Sequence, residues 1–139
     1  MIAEKGYGAL RIVYAATKEQ EEYIENLIRY FYSHVFPRYF DDDQIKQFEY
    51  LQVLSLSNND YNGTMREALQ MISSLQSLLT IIECIEVNGV NEEYRHMFER
   101  NVRLLEQHGI LFPFTIDQFQ KKRPFIFSMY SPPSNDWVM

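Results

Sequence analysis

The stretch MREALQMISSLQSLLTIIECIEV, residues 65–87, decides the fold class of this chain. Its apolar residues are Met65, Ala68, Leu69, Met71, Ile72, Leu75, Leu78, Leu79, Ile82 and Ile85. At 100° per residue they spread over more than half the circumference of a helix, wider than the single stripe of an edge helix. The turn Tyr61-Asn62-Gly63 and the cap residue Thr64 open the segment, and Asn88-Gly89 closes it. The spacing predicts a central core helix with other helices around it.

Outward from that helix the chain reads as further helical segments. Thr17 with Gln20 forms a capping box and starts a helix that should run to about Val35, where Pro37 ends it. Asp41-Asp42-Asp43 places negative charge at the positive end of the next helix, which should start near Gln44 and carries Ile45, Phe48 and Leu51. Val53 to Leu56 fits helix or extended chain equally well. Asn91 caps a helix to Gln107, with a stripe of Tyr94, Met97, Phe98, Val102, Leu104 and Leu105. His108-Gly109-Ile110 reads as its glycine C-cap, and Thr115 opens a short helix to about Lys122.

The two ends differ. Leu10 to Ala15 alternates as a short strand does, and so does Phe125 to Tyr130. The predicted fold is therefore mainly α, four to five helices around a buried helix at about 65–87, with room for a small two-stranded β element from the N- and C-terminal segments. Residues 1–139 read as a single helical domain, with 1–9 frayed and 131–139, after Pro132-Pro133, a loose tail.

Composition narrows function by exclusion. With 46% hydrophobic and 15% aromatic residues, the chain can build one core without metal or disulfide staples, and Cys84 has no partner. A lone cysteine fits a cytoplasmic protein. The net charge of −6 argues against a nucleic-acid partner, because phosphate contacts need a basic face. The first residues lack a signal peptide's basic and apolar regions, and no apolar run approaches the ~20 residues of a membrane span. The expectation is therefore no nucleic acid and no membrane.

Each candidate site has a simple structural explanation. Glu93 and His96 have the spacing of a di-iron carboxylate motif, but there is no second copy and they face away from the core stripe. Cys84, near a helix C-terminus and between Glu83 and Glu86, lacks the surroundings that form a thiolate. The three aspartates lack the spacing of a calcium loop. No metal site, no cofactor and no catalytic residue are expected. His34 falls on the apolar arc of its helix near Tyr23 and Tyr30, so these three form the candidate ligand pocket. In the tail, Phe125, Phe127, Tyr130 and Trp137 are the candidate partner-binding residues, since that much aromatic surface calls for a covering surface.

The runs Arg11-Ile12-Val13-Tyr14-Ala15-Ala16-Thr17, Gln20-Glu21-Glu22 and Tyr30-Phe31-Tyr32-Ser33-His34-Val35-Phe36-Pro37 resemble a family of small uncharacterised proteins of Bacillus-type bacteria. Tyr61-Asn62-Gly63-Thr64 and Gly109 to Phe114 are similar too. The resemblance implies a cytoplasmic bacterial protein from about Leu10 onward and carries no activity or site residues. The leading functional reading is a non-enzymatic cytoplasmic protein that binds another protein or a second copy of itself as a homodimer. The alternative is a small-molecule-binding protein or enzyme with its pocket at His34.

Overall fold

The computed structural model describes residues 2–3, 10–11, 14–56 and 63–122. Within them the protein is mainly helical. Helix α1 spans Lys18–Tyr30, a π-helical turn spans Phe31–Val35, and α2 spans Phe36–Tyr39. Helices α3, α4 and α5 are Asp42–Tyr50, Met65–Asn88 and Glu92–Gln107, followed by a 3-10 turn at Ile116–Phe119.

The helix starts after Thr17, Thr64 and Asn91 are where the sequence puts them, and α3 starts at Asp42, two residues before the expected Gln44. Thr17–Gln20, Asp41–Gln44 and Thr64–Glu67 each form a reciprocal capping box, which satisfies two otherwise orphaned N–H groups. Asn91 accepts from the Tyr94 amide at 2.8 Å. At the end of α5, Gly109 takes φ +81°, a conformation that a side chain would strain.

Pro37 does not end the first helix. A proline has no N–H, and its ring crowds the carbonyl four residues back, here that of Ser33. The chain absorbs this by widening one turn, so that the Phe36 N–H bonds to Phe31 O, five residues earlier. Pro37 then occupies the first turn of α2, where its missing donor is not needed. The extra residue shifts the helical phase. With that shift Phe31, Val35, Phe36, Tyr39 and Phe40 all enter the core.

Helices α1 and α4 run side by side in one direction. At their starts the Ala16 and Met65 amides bond to Gly63 O and Tyr14 O, both at 2.8 Å, and at the other end Tyr39 reaches Glu86. Helix α5 returns along the other flank of α4, so that the His108 ring meets Gln70 at 2.7 Å. The core lies on one face of this layer. It joins Met71, Leu75, Leu78, Ile82 and Ile85 of α4 to a cluster of rings from Phe31, Phe36, Phe98, Phe112 and Phe119.

Helix α4 is flanked, not encircled. Leu69, Ser73, Gln76, Thr80, Glu83 and Val87 form a strip open to solvent, with Leu69 51% and Val87 83% exposed. The expected helix wrapped on all sides is corrected here. The wide apolar arc is explained by two neighbouring helices and one core face, with Ile81 inside and Leu69 outside. By length and composition α4 could cross a membrane, yet its buried residues line the protein's own core.

The expected β element joining the two ends is not supported. Leu10–Arg11 pairs antiparallel with Ile2–Ala3, two residues on each side, within the N-terminal segment. Phe125, Phe127, Tyr130 and Trp137 lie outside the described residues, as do the chain from 131 onward and most of 1–9.

Candidate functional site

The π-helical turn and the chain after α3 together make the most distinctive surface of the molecule. The turn presents Tyr32 and Ser33, with Ile28 and Arg29 one turn earlier on α1. Opposite them, α3 unwinds at Leu51 into a short strap. The Gln52 amide bonds to Glu49 O at 3.1 Å, the Val53 amide to Phe48 O at 2.9 Å, and the Leu54 amide to Leu111 O at 2.8 Å. Gln52 and Leu54 have φ of 60° and 53°, the left-handed region, although neither is glycine or asparagine. Val53 and Leu54 are each only 1% exposed, so burial of their side chains holds this backbone in place. Tyr32 Oη donates to Val53 O at 2.5 Å and ties the strap to the helix.

Between helix and strap lies a groove of about 690 Å³, open along one side. Ile28, Tyr32, Val53 and Leu54 give it an apolar floor, with Arg29 on one rim and Glu49 and Gln52 on the other. Two backbone anomalies of kinds that concentrate at functional sites, a π turn and left-handed non-glycine residues, meet at this groove.

The Tyr32 hydroxyl is pushed up to about 12 by burial and, secondarily, by the Glu49 carboxylate. It keeps its proton near neutral pH and does not serve as an acid or base there. Because its folded value lies above the ordinary 10.0, it contributes stability below pH 10 that is lost as pH rises through about 12. A tyrosinate absorbance titration should show a phenol ionising near pH 12 that is absent in Tyr32→Phe, while the Tyr39 phenol ionises later still in both proteins. A Tyr32→Phe profile that overlays the parent would contradict the placement of this side chain.

The three residues expected to form a pocket are not gathered into one. Tyr30 and His34 stack, with ring centroids 4.7 Å apart and planes 10° apart, on the exposed side of the helix. Tyr23 lies about 10 Å from Tyr30 along the axis at 1.5 Å per residue and bonds to Gln76 of α4. His34 is exposed because the π turn gives the inward positions to Phe31, Val35 and Phe36. Its Nδ1 lies 2.6 Å from Ser33 Oγ, and that hydroxyl donates to Arg29 O at 2.8 Å.

The remaining polar clusters hold the fold together. Glu86 receives the Tyr39 hydroxyl and pairs with Arg38 and Lys122, each at 3.6 Å, joining α2, α4 and the segment after the 3-10 turn. Burial and the Glu86 carboxylate keep the Tyr39 phenol protonated well above the ordinary range. Glu93 and His96 are exposed on α5, and Cys84 is half-buried. Among the described residues no three His, Cys, Asp or Glu side chains gather as a metal site.

Tyr32 and the strap are absent from the sequence-level candidates. Pro37 inside an apolar arc was a usable signal for the widened turn. Gln52 and Leu54 gave none, since residues of their kind seldom adopt positive φ.

Comparison with known proteins bears out the resemblance read from the sequence. A profile described as a family of unknown function (DUF5365) matches residues 10–124. The "Uncharacterized protein YhcU" of Bacillus subtilis (strain 168) is 40% identical over 113 residues, which cover 81% of this chain and 86% of that protein. No solved structure matches. Every residue lining the groove falls inside the family span, whereas Phe125, Phe127, Tyr130 and Trp137 fall beyond it.

Proposed function

Because the chain belongs to this family of unknown function, DUF5365, we propose a reading from its own surface: a non-enzymatic cytoplasmic protein that binds a protein partner at the groove between α1 and the strap. The observation that carries it is exposed apolar surface beside that groove, on residues that adjoin its lining without belonging to it. Tyr50 and Leu51, at the start of the strap, are 81% and 52% exposed, and Leu111, paired with Val53, is 41% exposed. Clustered exposed apolar residues beside a groove are a common mark of partner surfaces. A site open along one side is poorly suited to excluding water from a reacting group. The net charge of −6 favours a protein partner over nucleic acid. The aromatic tail then serves as an accessory contact, because it lies beyond the family span.

A second reading, a small-molecule site, has one observation in its favour. Ser33 lines the groove and its hydroxyl lies 2.6 Å from His34 Nδ1, so a ligand there would sit one side chain from an imidazole. The volume of about 690 Å³ also falls in the range of ligand sites, ~300–1,000 Å³.

Photocrosslinking in the native host separates the two. A benzophenone side chain at Leu51 or Leu111 should give one shared discrete adduct, and the same group at Val87, exposed on α4, should not. An adduct of twice the chain mass identifies the partner as a second copy. No adduct from either groove position, or equal adducts from all three, would reject the protein-binding reading.

A further inference from the structure

We propose that Leu51–Ser55 is a strap that opens locally from the otherwise intact protein, and that Tyr32 is the latch that holds it shut. Two non-glycine residues in the left-handed region, Gln52 and Leu54, flank the single residue whose carbonyl receives the Tyr32 hydroxyl. Each is strained in the closed state and relaxes when the strap lifts. The ties at the strap's two anchor points are to Phe48 O at the end of α3 and to Leu111 O on the extended chain after α5. Neither of these two bonds is to α4, which keeps its own contacts with α1 and α5 when the strap lifts. Val53 and Leu54 are the buried plugs that set the strap back in place. In the open state Gln52, Val53 and Leu54 move away from Ile28 and Tyr32, so the shape of the groove follows the strap equilibrium. This inference stands on backbone geometry and does not depend on what the groove binds.

Native-state hydrogen exchange on the full chain tests it. The Val53 and Leu54 amides should exchange faster than those of Leu75 and Leu78 in α4, through an opening that does not respond to low denaturant. Removing one hydrogen bond in Tyr32→Phe should speed the two strap amides by about fivefold and leave the α4 amides unchanged. Gln52→Gly, which removes the strain at φ 60° while keeping the latch, should slow them. Strap amides that exchange only with global unfolding, at the α4 rate in all three proteins, would overturn the proposal. So would Tyr32→Phe accelerating strap and α4 amides by the same factor.

Discussion

Leu75→Asp is expected to abolish the cooperative unfolding transition and leave the chain unfolded at 25 °C. Leu75 is fully buried at the middle of α4, on the side that faces the ring cluster. No cation stands among the buried residues there to pair with a carboxylate. Burying an uncompensated charge costs several kcal/mol or more, against a total stability of about 5–15 kcal/mol. Far-UV circular dichroism with a thermal scan reads the result. Leu69→Asp, one and a half turns earlier on the same helix, is the contrasting variant. Leu69 is 51% exposed on the open strip, so its aspartate stays hydrated and the melting point should move little. If both variants unfold, the open strip of α4 is covered by something and the layered arrangement is wrong. If neither does, α4 is not the core.

Phe36→Ala should lower stability by about 3–5 kcal/mol in urea unfolding, the usual cost of removing a fully buried ring. Phe36 is 0% exposed. Its ring lies within 5.0–6.0 Å, centroid to centroid, of Phe31, Tyr32, Phe40, Phe48 and Phe114. These neighbours come from the π turn, α2, α3 and the chain after α5, so the truncation opens a cavity where four parts of the structure meet. Phe36→Leu keeps most of the volume and should cost clearly less. A loss under about 1 kcal/mol for the alanine variant would show that the site collapses freely and that this ring is not the centre of the aromatic cluster.

Phe36 also shows where reading the chain residue by residue reaches its limit. A helix through Val35 follows from the spacing of Ile24, Leu27, Ile28 and Phe31, and the structure has it. Continuing the same period puts His34 at the apolar edge and stops at Pro37. The widened turn moves Phe36, Tyr39 and Phe40 inward and leaves His34 in solvent against Tyr30. A proline in a helix demands a local adjustment, but ending the helix, kinking it and widening one turn all meet that demand. Which one occurs depends on the rings waiting at the core: Phe48, Phe112 and Phe114.

The groove was less legible still. Glycine or asparagine normally announces a left-handed residue, and Gln52 and Leu54 adopt it without either signal. They do so because Val53 and Leu54 bury their side chains and because Leu111, far along the chain, supplies a carbonyl to Leu54.

The helical class, the helix starts at Thr17, Thr64 and Asn91, the glycine stop after α5 and the place of α4 as the core helix all follow from the chain alone. Each of these rests on interactions between residues three to five apart, or on one segment's apolar content, so a short window contains the whole cause. Long-range packing is what leaves α4 an open strip, with Leu69 outside and Ile81 inside, carries the first helix through Pro37, and brings Tyr32 to Val53 across a groove. Those outcomes turn on which distant surfaces arrive to be covered. Burial is a property of a pair of surfaces, and a single segment carries only one of them.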